Sequence, residues 1–255
     1  MKKIMFMTIL LLSGFLPLSL AAETITIAGD LWVPYNADPK GPAPGFVIEA
    51  AKLIFGEQGY TVDYVIVPWS RAVTKTRDGS INAIVGAAKS DTPDLIFPAN
   101  EQAVSESVFF VKKGSKWRYA GVDSLKTEKI GTILDYSYNE KNDKVLKMYA
   151  ANIQAVAGET ALEQNIKKLI FGRITVTIEN RLVMQAKLKE MNMVGQVEDA
   201  GGEILSNPIY IAFSPANPKS GQYAKILSDG MTRIRKSGEL KKILAKYGLK
   251  DWKKN

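Results

Sequence analysis

The chain has 255 residues, a formal net charge of +8, no cysteine and no histidine. Lacking cysteine, it has no disulfide, thiolate nucleophile, cysteine zinc site or lipidated N-terminal cysteine. Lacking histidine, it has no Ser-His-Asp triad, Cys-His dyad or histidine metal site, which leaves only carboxylate or lysine acid–base chemistry open.

The chain opens with Lys2 and Lys3, an apolar run over 4–20, and the small residues Ala21 and Ala22. A basic start, a short apolar run and a small-residue exit predict a secretory signal peptide over residues 1–22, cleaved after Ala21 or Ala22. As a transmembrane anchor the run, about 17 residues, is at the lower limit of length. Export makes nucleic acid an unexpected partner. The one basic cluster, Lys241, Lys242, Lys246, Lys250, Lys253 and Lys254, is spaced as the solvated face of a last helix.

Thr24 to Ala28 alternates and is rich in β-branched residues, which predicts a strand. Residues 29–44 hold four prolines and read as a loop. A helix follows over 45–58, with Gly59 closing it. Residues 60–67 alternate as a second strand, 70–77 form a short helix, and 81–85 a third strand. Val108 to Val111 is an apolar strand. The rhythm then restarts: strand 129–134, helix 139–150, strand 152–156, helix 159–171, strand 174–178, helix 180–191 and strand 207–213. A long helix over 221–247 ends the chain, with a break at Ser237-Gly238. Repeated βα units favour parallel strands covered by helices, and two such runs without a low-complexity linker suggest two lobes. No sequence repeat is visible between them.

Four segments in this order resemble one family. They are Trp32-Val33-Pro34-Tyr35 with Gly45 to Ala50; Val67-Pro68-Trp69 with Asp78 to Ala83; Val108 to Gly114; and Phe171-Gly172-Arg173-Ile174 with Tyr210 to Phe213 and the Lys-rich closing helix with Tyr247-Gly248. The chain is similar to the periplasmic binding proteins for polar amino acids, the receptor components of ABC importers, over nearly all of its mature length. The resemblance implies an α/β, two-lobed periplasmic-binding-protein fold of type II, each lobe a mostly parallel sheet flanked by helices. Lobe 1 is expected over 23–111 plus 211–255 and lobe 2 over 112–210, with two hinge crossings near Val111–Lys112 and Pro208–Ile209. It also implies a monomer in the periplasm, a small-molecule ligand and a membrane permease as partners, and neither cofactor nor metal. Ligand is expected between the lobes at strand ends, where an open α/β sheet leaves a crevice.

The resemblance marks Trp32 and Trp69 as rings facing ligand, able to sandwich a flat or apolar group or hold a cation, with Tyr35 as a further ring. Arg71 is a candidate for bidentate carboxylate binding. The loop of Gly86, Ala87, Ala88, Lys89 and Ser90 offers backbone groups, a charge and a hydroxyl. The turn holding Tyr136 and Ser137 is implied to meet the ligand's anionic end at a helix N-terminus, although Ser137 or Asn139 could equally be an N-cap. Glu179 and Asn180 end a strand where the family usually has an aspartate for the amino group, here Asn180. The family's Thr-x-x-Arg is also missing. The corresponding stretch, Asp91-Thr92-Pro93-Asp94-Leu95-Ile96-Phe97-Pro98, is shorter and has no arginine. Both ends of the usual clamp are thus altered, and the expected ligand is a small polar or charged solute held in another way, with Arg71 or Lys89 replacing the lost arginine. A sensory co-receptor presenting ligand to a membrane signalling protein is an alternative role. A dehydratase-like enzyme using Glu179 as general acid is the remaining one.

Overall fold

The computed structural model describes residues 22–203 and 207–253. The expected leader, apart from Ala22, lies outside the described residues. No helix among those described is long and apolar enough to cross a membrane.

The first run of elements is β1 (Thr24–Gly29), α1 (Phe46–Gly56), β2 (Thr61–Ile66), α2 (Trp69–Arg77), β3 (Ala83–Ala87) and β4 (Ala103–Ser105). The second is β5 (Ser107–Lys112), β6 (Ile130–Ile133), α3 (Glu140–Met148), β7 (Ile153–Val156), α4 (Ala161–Ile170), β8 (Val176–Asn180), α5 (Arg181–Glu190) and β9 (Val197–Asp199). The chain ends with β10 (Asn207–Phe213), α6 (Ser220–Ser237) and α7 (Glu239–Lys246). The expected break in the last helix falls at Gly238, whose φ of 82° ends α6 in a left-handed turn.

The strands form two five-stranded sheets of the same topology, β2-β1-β3-β10-β4 and β7-β6-β8-β5-β9. In each, four strands share one direction and a single strand, β10 in the first sheet and β5 in the second, runs antiparallel to both of its neighbours. The sheets are therefore mixed and, with four strands of five sharing one direction, mostly parallel as expected. The antiparallel members are those around the crossings: β10 enters the first sheet from the second half of the chain, and β5 enters the second sheet straight after β4.

This corrects the lobe boundaries. The strand 108–111 was expected to end the first lobe, yet β5 pairs with β8 and β9 and lies wholly in the second sheet. The outward crossing is thus at Glu106, between β4 and β5. All of β10 lies in the first sheet, where Asn207 pairs with Ser105, so the return crossing precedes Asn207 and does not fall at Pro208–Ile209. An apolar strand such as Val108-Phe109-Phe110-Val111, buried on both faces, carries no mark of which sheet it will join.

Strand alternation builds the cores. Ile25, Ile27, Ile211 and Phe213 face α1, α6 and α7, where Ile54, Phe55, Tyr223, Leu227 and Leu244 are buried. The other face of the sheet presents Ala28, Ile84, Ala87 and Ala212 to α2, where it meets Trp69, Ala72 and Val73. In the second sheet Phe109 and Val111 face α3, and Val108 and Phe110 face α4 and α5. Each fully buried Ile or Phe contributes roughly 2–3 kcal/mol, enough for each lobe to be held by its own core.

Candidate functional site

A cleft lies between the two sheets at the carboxyl ends of β1, β3, β6 and β8. Among the residues lining it are Asp30, Trp32, Trp69, Gly86, Ala88, Asp91, Tyr136, Ser137, Tyr138 and Glu179. Both sides of the molecule contribute, which is the arrangement expected of a crevice at strand ends.

Trp32 is set by the Pro-rich loop. The Trp32 amide donates to the Asn36 carbonyl at 3.0 Å, and Tyr35 stacks on the Trp32 ring with centroids 4.1 Å apart. The loop is tied to the start of α1, whose first amides lack intrahelical partners. Phe46 N donates to Pro34 O at 3.1 Å and Val47 N to Tyr35 O at 3.1 Å. Gly45 makes this close approach possible. Its φ is 104°, and a Cβ there would lie 2.4 Å from both Asn36 Cα and Tyr35 O.

Two bonds cross the cleft in reciprocal fashion. Trp32 Nε1 donates to Glu179 Oε1 at 3.4 Å, and the Tyr136 hydroxyl donates to Asp30 Oδ2. Each pairs an aromatic donor of one half with a carboxylate of the other. Trp69 meets Tyr136 edge-on at 6.3 Å, and at the rim Ser70 Oγ donates to Asp135 at 2.8 Å. Glu179 Oε1 also accepts from Asn180 N at 2.7 Å. Its second oxygen, Oε2, is buried and has no hydrogen-bond partner among the described residues. Burial pushes Glu179 up to about 7, with the nearby Asp30 charge adding to it. Burial likewise pushes Asp30 and Asp91 up to about 6. No group of three or more candidate ligands among the described residues is arranged to hold a metal ion.

Of the residues singled out by sequence, Trp32, Trp69, Tyr136, Ser137 and Glu179 lie on the cleft. Tyr35 does not. It is buried beneath Trp32, with its hydroxyl donating to Val104 O at 2.7 Å. Asn180 is consumed by structure: its Oδ1 accepts from Leu182 N and Val183 N to cap α5, and its Nδ2 donates to Tyr35 Oη and Ser105 Oγ. Ala87 is buried against α2, while its neighbours Gly86 and Ala88 face the cleft. Ser90 is exposed and lines an outer groove beside Asp135.

The two cations proposed to replace the lost arginine are elsewhere. Arg71 is exposed on the outer side of α2. Lys89 Nζ sits over the Tyr210 and Phe97 rings, 5.1 and 5.9 Å from their centroids. Nor does the turn before α3 offer its donors to an anion. Asp143 already accepts from Ser137 Oγ at 2.6 Å and from Tyr138 N at 2.9 Å. The cleft is lined by carboxylates and rings, with no Lys or Arg among the described lining residues.

Asp30 and Asp91 were not singled out as site residues. Asp30 follows the first strand directly, a strand-end position that could have flagged it. Asp91 reads as an ordinary turn residue, and its Oδ1 does accept from Ala88 N at 3.0 Å.

A two-lobed α/β molecule with a crevice lined from both lobes between mixed sheets is a binding-protein architecture. The chain belongs to the bacterial extracellular solute-binding proteins, family 3, whose pattern it matches over residues 25–250. Solved structures share its fold. A histidine kinase sensor domain with similarity to periplasmic binding proteins superposes with a TM-score of 0.76 at 19% identity, covering 89% of this chain and 96% of that one. An ancestral arginine-binding protein bound to arginine gives 0.73 at 20% identity, covering 89% and 99%. The arginine-, lysine-, histidine-binding protein from Geobacillus stearothermophilus gives 0.73 at 15%, covering 90% and 97%. No curated protein sequence matches the chain.

Proposed function

We propose that this protein captures a small polar or charged solute in the cleft between its lobes, in the periplasm, and delivers it to the permease of an ABC importer. The observation that supports this most directly is the reciprocal pair across the cleft, Trp32 to Glu179 and Tyr136 to Asp30. Groups from both halves converge on one small volume, so a solute placed there contacts both lobes at once and its binding energy is available to hold them together. Outcrossing and return strands lie side by side at Ser105 and Asn207, a narrow connection suited to a hinge. The reading involves no chemical step. A variant of it, presentation of the closed form to a membrane sensor, uses the same cleft and gains support from the fold shared with a sensor domain.

The test is a thermal-shift panel of amino acids, amines, organic acids and nucleobases on the mature protein. A solute at 100 times its Kd stabilises by roughly 2.7 kcal/mol, several degrees for a chain of this size. A shift that saturates, and that is lost when Trp32 is replaced by alanine, supports capture in this cleft. A shift unaffected by that substitution moves the site elsewhere.

A further inference from the structure

We infer that the solute is a small organic ammonium ion with at least one N–H and no carboxylate, seated between Asp30 and Glu179 against the rings of Trp32, Trp69 and Tyr136. This deepens the solute-capture reading and rests on it.

The cleft offers a carboxylate no cationic side chain among its described lining residues, only neutral donors such as Ser105, Ser107 and Asn207. Arg71 is exposed and is not among the lining residues, and Lys89 is engaged by Phe97 and Tyr210. The turn at the start of α3 is filled by the chain's own Asp143. A ligand carboxylate would meet Asp30, Asp91 and Glu179 with no cation among the described lining residues to offset them, and a desolvated, unpaired carboxylate is strongly disfavoured.

The cleft is equally specific in what it offers. Glu179 is 2% exposed, and its Oε2 is an acceptor with no donor among the described residues. Buried acceptors are ordinarily satisfied, so this oxygen marks where a ligand N–H belongs. A quaternary ammonium cannot supply that bond. Asp30, on the opposite lobe, accepts from Tyr136 and retains lone pairs for a second donor. An ammonium between two carboxylates of different lobes draws the lobes together by charge as well as by contact. The tryptophan and tyrosine rings cover its carbon skeleton and interact with the cation through their faces.

The titratable groups around Glu179 are Asp30 after β1, Tyr35 in the loop, and Tyr136 and Tyr138 before α3. The tyrosines are all pushed upward and stay neutral near pH 7. Glu179, raised to about 7, is partly protonated near neutrality, and Asp30, raised to about 6, is protonated only below that, so a bound cation displaces a proton chiefly from Glu179.

The experiment is isothermal titration calorimetry on the full mature chain with matched pairs, each an amino acid and its decarboxylated amine: lysine and cadaverine, arginine and agmatine, tyrosine and tyramine. Choline serves as the quaternary probe. At least one amine is expected to bind 100-fold or more tighter than its parent acid and than choline. Its affinity should rise between pH 6 and 8, with a heat that depends on buffer ionisation because protons are released. Glu179→Gln should weaken it at least tenfold and flatten the pH response. Asp30→Asn, on the other lobe, is the second variant should the first not fold. A parent acid binding as well as its amine overturns the inference, as does choline matching the best amine, or amine affinity unmoved by either variant. If no amine binds, the inference falls as well. In that case a saturable shift by an uncharged or anionic solute in the broader panel leaves solute capture standing, and its absence removes that reading too.

Discussion

Asn180 shows how one substitution in a ligand-binding strand end changes a residue's work. Where the resemblance expects an aspartate for an amino group, the amide instead caps α5 through Oδ1 and joins Tyr35 and Ser105 through Nδ2. An aspartate cannot donate those last two bonds. Asn180→Ala removes a helix cap, typically about 1 kcal/mol, and leaves buried partners unsatisfied, so a total loss of about 2–3 kcal/mol is expected. Thermal unfolding of the ligand-free protein checks this, and a fall in Tm of several degrees is the expected result. Glu179 beside it takes the opposite path, pointing its polar end into the cleft with one oxygen unpaired. Neighbours in sequence thus divide structural and binding roles, because successive residues of a strand point to opposite sides.

At the scale of elements, the loop carrying Trp32 is not held by its own hydrogen bonds alone. It is part of the N-terminal end of α1, whose amides bind Pro34 O and Tyr35 O in place of a side-chain cap. Tyr247, just past α7, reinforces the junction by accepting from Gly45 N at 3.0 Å. Gly45→Ala puts a methyl group into Asn36 and Tyr35 at a φ that alanine rarely adopts. The expected outcome is a loss of more than about 2 kcal/mol together with displacement of the Trp32 ring. Differential scanning calorimetry and tryptophan fluorescence read the two effects. Unchanged values in both would show that the loop can move off α1 without cost.

For the whole molecule, the two halves meet over a buried carboxylate, Glu179, and a partly buried one, Asp30. Asp30 and Glu179 have raised values in the closed form, about 6 and about 7. A group raised in this way stabilises the closed form below its ordinary carboxylate range, and that contribution is lost as pH rises through the raised value. The empty cleft is therefore expected to lose closed-form stability between about pH 4 and 7, as two carboxylates facing each other across the lobes ionise. Small-angle scattering of ligand-free protein should give a larger radius of gyration at pH 8 than at pH 5. Tyr136→Phe, which removes the bond to Asp30 but keeps the ring, should shift opening to lower pH. A radius that stays constant across the range in both proteins would contradict this account.

Much of the fold was legible in the residues. Periodicity located α1 to α5 and most strands within a few positions, and Gly238 marked the break between α6 and α7. The short β4 and β9 were not, since three residues show no alternation and are defined only by their partners. Sheet membership of β5 was equally hidden: Phe109 and Phe110 are apolar on both faces, so the same string suits either lobe. Of the site, the rings Trp32, Trp69 and Tyr136 and the acid Glu179 were marked by the family resemblance rather than by periodicity. What only the tertiary structure decided was the sign of the cleft. The sequence by itself determined which charges exist near the strand ends, Asp30, Arg71, Lys89, Asp91 and Asp143 among them. Long side chains can turn either way from one backbone position, and packing sends Lys89 to Tyr210 and Phe97, leaves Arg71 on the outside, and closes Asp143 onto the turn of Ser137. The carboxylates that remain facing inward set the charge a solute must bring.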